Sequence, residues 1–184
     1  MIAGGVDIIQ LRGKTKEIEQ LTEFAAELHF ITSKNDVPLI INDHAEIARW
    51  VALEGVHLGQ DDMSIAEARE IAGRNLLIGK STHSFEQAVA AQKEDADYIG
   101  FGPLFATPTK PDYPPIGLNA IRRVYDAVRI PIFCIGGIKL DNLMHVIAAG
   151  AQRVVIVSGL LQSKNIEAYA DTAKRALLAQ RGRS

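Results

Sequence analysis

Seven short apolar runs recur along the chain of 184 residues, and this recurrence constrains the fold more than any other feature. Each run is rich in Ile, Val and Leu, alternates poorly with polar residues, and ends in glycine or a polar residue. This pattern is typical of strands that are buried on both faces of a parallel sheet. The runs begin near residues 7, 37, 54, 76, 97, 130 and 153, and read DIIQLR, VPLIIND, EGVHLG, LLIGKST, DYIGFG, IPIFCIGG and RVVIVSG.

Amphipathic stretches separate the apolar runs and predict seven helices. The segment TKEIEQLTEFAAELHFITSK places Ile18, Leu21 and Leu28 at the three- and four-residue spacing of one helix face. Ser64 and Ser84 stand where helix N-caps are expected, each with a glutamate in the turn that follows. The chain is therefore interpreted as a series of βα units.

Repeated βα units form either a doubly wound open sheet or a barrel. No GxGxxG sequence follows the first run, so the dinucleotide-binding form of the open sheet is not favoured. Polar residues follow almost every run, and a barrel gathers all such strand ends around one mouth. We expect a TIM (β/α)8-type barrel that forms one domain over residues 1–184. It lacks one βα unit, since seven strands and seven helices are found instead of eight.

Composition excludes several classes of protein. Apolar residues make up 47% of the chain and charged residues 23%, and the formal net charge of −2 argues against nucleic-acid binding. No apolar run approaches the roughly 20 residues that a membrane helix needs, and the first residues do not resemble a signal peptide. The single cysteine, Cys134, excludes a disulfide within the chain and is interpreted as a core residue. We expect a cytoplasmic protein.

The first two strand ends carry residues suited to binding an anion. Gln10, Arg12 and Lys14 alternate, so their side chains are expected on one face, where two cations and an amide suit a diphosphate. A solvated strand end is the alternative. The second strand ends in Asn42 and Asp43.

Carboxylates at neighbouring strand ends predict a Mg²⁺ site. Asp43 and either Asp61 or Asp62 are placed to supply oxygen ligands, although one of the latter two could instead cap the next helix. After the fourth strand, Ser81 and His83 are site candidates, because a helix N-terminus follows them. His57, within a strand, is interpreted as a core histidine.

Glycine-rich strand ends predict a second anion site. The sixth and seventh strands end in CIGGI and IVSGL, where backbone N–H groups can approach a phosphate. The segment PLFATPTKPDYPPIG, with five prolines in fifteen residues, lies between the two predicted sites in chain order. Two anion sites suit a reaction that joins a phosphate-bearing acceptor to a diphosphate-activated donor.

Taken in order, the segments IQLRGK, IIND, GVHLGQDD, GKSTHS, GPLFATPTKPDYPPIGL, IGGI and IVSGL resemble the thiamine phosphate synthase family. The resemblance covers about residues 6 to 162. It implies a transferase that joins hydroxymethylpyrimidine diphosphate to a thiazole phosphate, with Mg²⁺ as cofactor and release of diphosphate. A dissociative displacement is implied, in which the aminopyrimidine stabilises a cation and the thiazole nitrogen captures it.

The resemblance also implies roles for particular residues. The pyrimidine diphosphate would be bound by Gln10, Arg12, Lys14, Asn42, Ser81 and Lys110, of which Arg12, Lys14, Ser81 and Lys110 are the expected catalytic residues. The thiazole phosphate would be bound by Thr107, Thr109, Gly137, Val157 and Ser158. The Mg²⁺ ligands would be Asp43 and Asp62, in preference to Asp61.

The chain departs from the family pattern in two ways. The family has a further strand and helix before the QLR segment, and their absence would leave a strand edge unpaired. A missing upstream segment or a neighbouring copy in a homo-oligomer would account for that edge. Lys80 stands where a small apolar residue is expected, so it either points outward or adds charge near the diphosphate.

Two other functions compete with the synthase. The related thiazole tautomerase has a histidine at the place of His83 as an acid–base group and needs no metal–diphosphate site. A non-catalytic module that binds thiazole phosphate is the other alternative. The joint presence of the predicted diphosphate and metal residues favours the synthase; these residues are Arg12, Lys14, Asn42, Asp43, Asp62 and Lys110.

Overall fold

Six parallel strands form one sheet in which the order in space is the order in sequence. The computed structural model describes residues 1–73, 75–107 and 113–181. The strands are β1 (Ile9–Leu11), β2 (Leu39–Asn42), β3 (Gly55–Leu58), β4 (Leu77–Thr82), β5 (Tyr98–Phe101) and β6 (Ile132–Cys134). Each begins within about two residues of the position that the apolar runs predict. The fold is an α/β half-barrel of the TIM type.

The seventh apolar run forms one parallel bridge instead of a regular strand. Val154 pairs with Cys134 of β6. The Cys134 N–H donates to the Arg153 carbonyl at 3.0 Å, and the Val155 N–H donates to the Cys134 carbonyl at 2.8 Å. The predicted seventh strand is therefore in the expected place, but only its first residues pair with the sheet.

Helices lie between the strands along the chain. They are α1 (Ile18–Ser33), α2 (Ala45–Val51), α3 (Ile65–Ala72), α4 (Phe85–Lys93), α5 (Ile121–Ala127), α6 (Leu140–Ala148), α7 (Ser158–Leu161) and α8 (Ile166–Arg181), preceded by a 3-10 helix at Ile2–Gly4. The described residues thus contain one more α-helix than predicted, and α7 is a single turn. None of these helices is long and apolar enough to cross a membrane.

Both predicted serine caps are confirmed. Ser64 Oγ accepts from the Glu67 N–H, and the Glu67 carboxylate accepts from the Ser64 N–H, so α3 begins with a complete capping box. Ser84 Oγ accepts from the Gln87 N–H at 3.1 Å at the start of α4. These caps determine where the loops after β3 and β4 end.

Successive side chains of each strand point to opposite faces of the sheet, so one face packs in the core and the other lines a cavity. Leu39, Ile41 and Val56 are buried in the hydrophobic core. Their neighbours in sequence point to the opposite, concave face. The strand residues that line a cavity there are Ile9, Gln10, Ile40, Asn42, His57, Ser81, Tyr98, Gly100 and Phe133. The sheet therefore places both polar and apolar side chains on its concave face.

The segment before β1 packs against α8. A Cβ atom at Gly4 would lie 2.8 Å from the Ala170 Cβ, so this contact requires glycine. Lys174 Nζ donates to the Gly5 carbonyl at 2.7 Å and lies 3.0 Å from Asp7 Oδ1. Through these contacts α8 holds the chain that leads into β1 and its cavity-lining residues.

Candidate active site

One cavity of about 380 Å³ brings together most of the predicted site residues. Its walls come from the strands and from the loops that follow them. The predicted substrate-binding residues that line it are Gln10, Arg12, Asn42, Ser81, Thr107, Gly137, Val157 and Ser158. Predicted diphosphate residues and predicted phosphate residues thus line the same cavity.

The two cations after β1 lie in different parts of the site. Gln10 and Arg12 line the cavity. Lys14 lies in a turn beyond the strand, where its Nζ is 3.6 Å from Asp43 Oδ2. Side-chain exposure is 54% for Lys14 and 20% for Asp43, so this ion pair lies at the rim. Arg12 and Lys14 place two positive charges between the cavity and the carboxylates.

Asp43 and Asp62 form a hydrogen-bonded pair of carboxyl groups. Burial raises the pKa of Asp43, as does its contact with Asp62. Burial would also raise the pKa of Asp62, but hydrogen bonds from Asp43 and from the Gly59 N–H, with Lys14 and Lys80 nearby, lower it overall. Two carboxyl oxygens that share one proton in this way can share a divalent cation in its place.

The donor set fits Mg²⁺. Among the described residues there is no cluster of three or more His, Cys, Asp or Glu side chains that could hold a metal ion. Asp43 and Asp62 form a pair of carboxyl groups, and Mg²⁺ is commonly held by one or two carboxylates together with substrate phosphates and water. These residues are the ones expected as ligands from the sequence.

Lys80 belongs to the surroundings of Asp62 and does not line the cavity. It is 7% exposed and pairs in register with Leu58 on β3. Because Ser81 faces the cavity, the preceding residue points to the other side of the sheet. Its positive charge nevertheless contributes to the lowered pKa of Asp62.

Asp61 takes part in a different contact. The Tyr113 hydroxyl donates to Asp61 Oδ2 at 3.2 Å. The Tyr113 ring also packs on His83, with 4.3 Å between the ring centroids. Neither Asp61 nor Asp62 caps α3, since Ser64 does. Tyr113 therefore connects the proline-rich loop to the ends of β3 and β4.

The proline-rich loop is anchored at its base. The Leu104 N–H donates to the Ile135 carbonyl at 2.9 Å, and the Ile116 N–H donates to the Pro103 carbonyl at 2.8 Å. Thr107 lines the cavity. The two other loop residues expected in the site, Thr109 and Lys110, lie outside the described residues.

The predicted phosphate cradle lies at the opposite side of the cavity. Gly136 and Gly137 both have positive φ, 97° and 65°, a conformation that favours glycine. A Cβ atom at Gly137 would also lie 2.7 Å from the Phe105 Cβ. Val157 and Ser158 approach the same space from the next strand end. The two glycines, Val157 and Ser158 therefore lie together in this part of the cavity wall.

His57 and Tyr98 also line the cavity, although neither was predicted as a site residue. His57 was interpreted as a core histidine, but it lies 2.9 Å from Ser81 Oγ and 3.1 Å from the Tyr98 hydroxyl. His57 lies on β3, two residues before the GQDD segment, and this position near the strand end could have indicated that its side chain faces the cavity. Tyr98 gave no signal, because an aromatic residue in an apolar run is normally a core residue.

His83 lines the cavity with a fixed ring orientation. Its Nδ1 donates to the Gly102 carbonyl. Its Nε2 is buried and has no hydrogen-bond partner in the described part of the chain. When the ring carries its only proton on Nδ1, Nε2 has a lone pair and can accept a hydrogen bond.

Comparison with known proteins indicates one family. The family model described as thiamine monophosphate synthase matches residues 1–160. A thiamine-phosphate synthase of Halalkalibacterium halodurans is 44% identical over 182 residues, which are 98% of this chain and 86% of that protein. One of Chloroflexus aurantiacus is 44% identical over 170 residues, 92% of this chain and 78% of that protein.

A solved structure agrees with these sequences. The thiamine phosphate pyrophosphorylase from Pyrococcus furiosus superposes with a TM-score of 0.90 at 32% identity. The match covers 97% of this chain and 86% of that one. The half-barrel fold therefore also occurs in a solved protein whose name agrees with the sequence matches.

Proposed function

Because the chain belongs to the thiamine monophosphate synthase family and is a transferase with thiamine-phosphate synthase activity, we propose how its residues perform the reaction. The donor is hydroxymethylpyrimidine diphosphate and the acceptor is a thiazole phosphate. The bond between the pyrimidine methylene carbon and the diphosphate oxygen breaks, and its electron pair leaves with the diphosphate. The thiazole nitrogen then uses its lone pair to form the new C–N bond.

The diphosphate binds at the β1–β4 side of the cavity. Arg12 lines the cavity and Lys14 lies at its rim beside Asp43, so both ammonium and guanidinium charges can neutralise the leaving group. Asn42 and Ser81 contribute hydrogen bonds from the neighbouring strand ends. Gln10 holds the pyrimidine. Lys110 is proposed to reach the same diphosphate from the proline-rich loop.

Asp43 and Asp62 would hold Mg²⁺. The hydrogen-bonded carboxyl pair supports this proposal, because a divalent cation bound there would replace the shared proton. When bound, Mg²⁺ supplies positive charge against the diphosphate oxygens. Lys14, whose Nζ lies 3.6 Å from Asp43 Oδ2, would add its own positive charge beside these carboxylates.

The thiazole phosphate binds at the β6 side. Gly137, Val157 and Ser158 offer backbone N–H groups and a hydroxyl, and Thr107 with Thr109 would contact the same phosphate from the proline-rich loop. Apolar side chains also line the cavity, among them Ile138 and Phe133. Exclusion of water there protects a cationic intermediate from hydrolysis. No side-chain nucleophile is needed.

The observation that carries the proposal is that Arg12 and Ser158 line one cavity while Asp43 and Asp62 pair at its rim. A phosphate end, a diphosphate end and a divalent-cation site are thus arranged for two substrates. The net charge of −2 supports small-molecule substrates instead of nucleic acid. We propose a single barrel domain and a cytoplasmic enzyme; a homo-oligomer that covers the open edge of β1 stays a prediction.

Calorimetric titration of each substrate tests whether the two ends are separate. Lys14→Met is expected to weaken binding of the pyrimidine diphosphate about tenfold and to leave binding of the thiazole phosphate unchanged. Lys16→Met is the matched control, since Lys16 packs over the Phe24 ring outside the cavity. Ser158→Ala is expected to have the reverse selectivity, with Ser163→Ala as its control. Equal losses for both substrates would contradict two separate ends.

The tautomerase alternative has one observation in its favour. His83 lines the cavity with a buried Nε2 that has no partner among the described residues. Such a nitrogen could accept a proton from a thiazole ring. Family membership and the carboxyl pair favour the synthase, but conversion of the thiazole tautomer by the purified protein in the presence of a chelator would favour this alternative.

A further inference from the structure

We propose that Tyr98 and His57 are positioning residues that hold the Ser81 hydroxyl as a hydrogen-bond donor to the substrate. The inference rests on the proposed function, which places Ser81 beside the diphosphate. It adds two residues to the reaction and assigns the direction of each hydrogen bond between them. Neither Tyr98 nor His57 needs to transfer a proton.

The three side chains form a chain of hydrogen bonds across adjacent strands. The Tyr98 hydroxyl lies 3.1 Å from His57 Nδ1, and His57 Nε2 lies 2.9 Å from Ser81 Oγ. They come from β5, β3 and β4, respectively. All three line the cavity, and His57 is only 8% exposed. The chain therefore ends at a hydroxyl that faces the substrate.

Two glycines make this arrangement possible. Gly79 pairs in register with both His57 and Tyr98, so it lies between them in the sheet. A Cβ atom at Gly79 would lie 2.5 Å from the Tyr98 hydroxyl oxygen. Gly100, which pairs with Ser81, leaves similar room, because a Cβ atom there would lie 3.3 Å from His57 Cε1. Tyr98 can therefore reach across β4 to the histidine.

The direction of the bonds follows from the Tyr98 proton. Burial, and secondarily the charge of Asp97, raises the pKa of Tyr98, so the phenol stays protonated. Within the described residues its hydroxyl has His57 as its hydrogen-bond partner and no other. A proton on His57 Nδ1 would leave the phenol hydrogen without an acceptor, and an unsatisfied buried donor is unfavourable. Tyr98 therefore donates to Nδ1.

The assignment then extends to Ser81. A neutral imidazole that accepts at Nδ1 carries its proton at Nε2. His57 Nε2 accordingly donates to Ser81 Oγ, which acts as the acceptor in this bond. The serine's own hydrogen points away from His57 and is available to an oxygen of the leaving diphosphate. A donor with a fixed direction stabilises the charge that develops on that oxygen.

The tautomer is measured without substrate. Long-range ¹H–¹⁵N correlation spectra of the purified protein, with the His57 signals assigned by their loss in His57→Gln, are expected to show unprotonated Nδ1 and protonated Nε2. The opposite tautomer would overturn the inference. This result does not depend on catalysis, so it holds or fails separately from the proposed function.

The kinetic test uses a double-mutant cycle. Tyr98→Phe keeps the ring but removes the hydroxyl, and we expect kcat to fall about tenfold with an unchanged KM for the thiazole phosphate. Because Tyr98 acts through Ser81, kcat of Tyr98→Phe/Ser81→Ala should equal that of Ser81→Ala within about twofold. Multiplicative losses in the double variant would overturn the inference.

Tyr125→Phe is the matched control. Its hydroxyl is also partly buried and hydrogen-bonded, donating to the Ile132 carbonyl at 3.0 Å and accepting from the Gln152 N–H at 3.0 Å, but Tyr125 is not among the residues that line the cavity. We expect normal kcat for this variant. A loss equal to that of Tyr98→Phe would show a general effect of removing a buried hydroxyl and would contradict a positioning role. Inactive wild-type protein would refute the proposed function but leave the spectroscopic result standing.

Discussion

The Tyr113 hydroxyl lies 3.2 Å from Asp61 Oδ2, whereas the adjacent Asp62 contacts Asp43. Two successive aspartates after β3 thus have different partners. One is joined to the proline-rich loop and the other to the carboxyl group proposed as its fellow metal ligand. The sequence alone did not show which aspartate has which partner, because both follow β3 closely enough to reach the end of β2.

Replacing the two aspartates separately tests this division. Asp62→Asn removes a carboxylate charge from the pair with Asp43, so the Mg²⁺ concentration for half-maximal turnover should rise by about tenfold or more. Asp61→Asn is the matched control and should keep the wild-type Mg²⁺ requirement. Initial rates over a Mg²⁺ titration provide the measurement. An unchanged requirement in Asp62→Asn would sink the metal assignment.

Tyr113 is expected to act on the loop in two separable ways. Tyr113→Phe loses the bond to Asp61 but keeps the ring on His83, while Tyr113→Ala loses both. Since an intramolecular hydrogen bond contributes about 1 kcal/mol, the first change should raise KM a few-fold at most, and the second should raise it further. Steady-state KM for each substrate is the readout. Identical values for both variants would show that the ring contact contributes nothing.

Cys134 should be unreactive in the folded protein. Its thiol is buried in β6, and burial raises its pKa to about 12. At pH 9, where an ordinary thiol with a pKa of 9.0 is half ionised, Cys134 should remain protonated and should react with iodoacetamide only after unfolding. Mass spectrometry with and without denaturant measures this. Rapid alkylation of the native protein would show that the thiol is accessible.

The raised pKa of Cys134 also predicts a loss of stability at high pH. The unfolded chain releases the thiol proton near pH 9, whereas the folded chain retains it to about pH 12. The stabilisation is therefore complete below pH 9 and is lost as pH rises toward 12. Urea unfolding of wild type and Cys134→Ala should give curves whose stability difference shrinks across this range. A constant difference in the free energy of unfolding between the two proteins from pH 8 to pH 11 would contradict the raised pKa of Cys134.

Ser64→Ala should destabilise the protein by about 1 kcal/mol, because α3 would lose its N-cap. Ser64 accepts from the Glu67 N–H and is one half of a capping box. Ser33→Ala, at the last residue of α1, should change the free energy of unfolding by less than about 0.5 kcal/mol. Equilibrium unfolding in urea distinguishes them. Equal effects would indicate that the cap contributes little.

Strand positions were predictable because parallel strands covered on both faces need continuous apolar runs, as in Leu39–Asn42 and Gly55–Leu58. The sequence did not predict that the seventh apolar run forms an isolated bridge instead of a regular strand. Strand pairing depends on neighbours in space, and the bridge joins Val154 to Cys134. An apolar run predicts that residues 153–157 approach the sheet, but it does not predict at which residue they stop pairing with the neighbouring strand.

The site was predictable where a polar residue ends a strand, as for Arg12, Asn42 and Ser81, all of which line the cavity. Tyr98 could not be found in this way. Its contact with His57 exists because Gly79 leaves room on the strand between them, a relation set by the register of three strands. Similarly, the separate partners of Asp61 and Asp62 depend on the path of the proline-rich loop.

The most direct test of the proposed reaction is the joint release of thiamine phosphate and diphosphate by the purified protein given Mg²⁺ and both substrates. We predict equal initial rates for the two products, loss of both with a chelator, and recovery when Mg²⁺ is restored. Binding of the thiazole phosphate without product, or turnover of the thiazole tautomer that a chelator does not affect, would contradict the proposed synthase reaction.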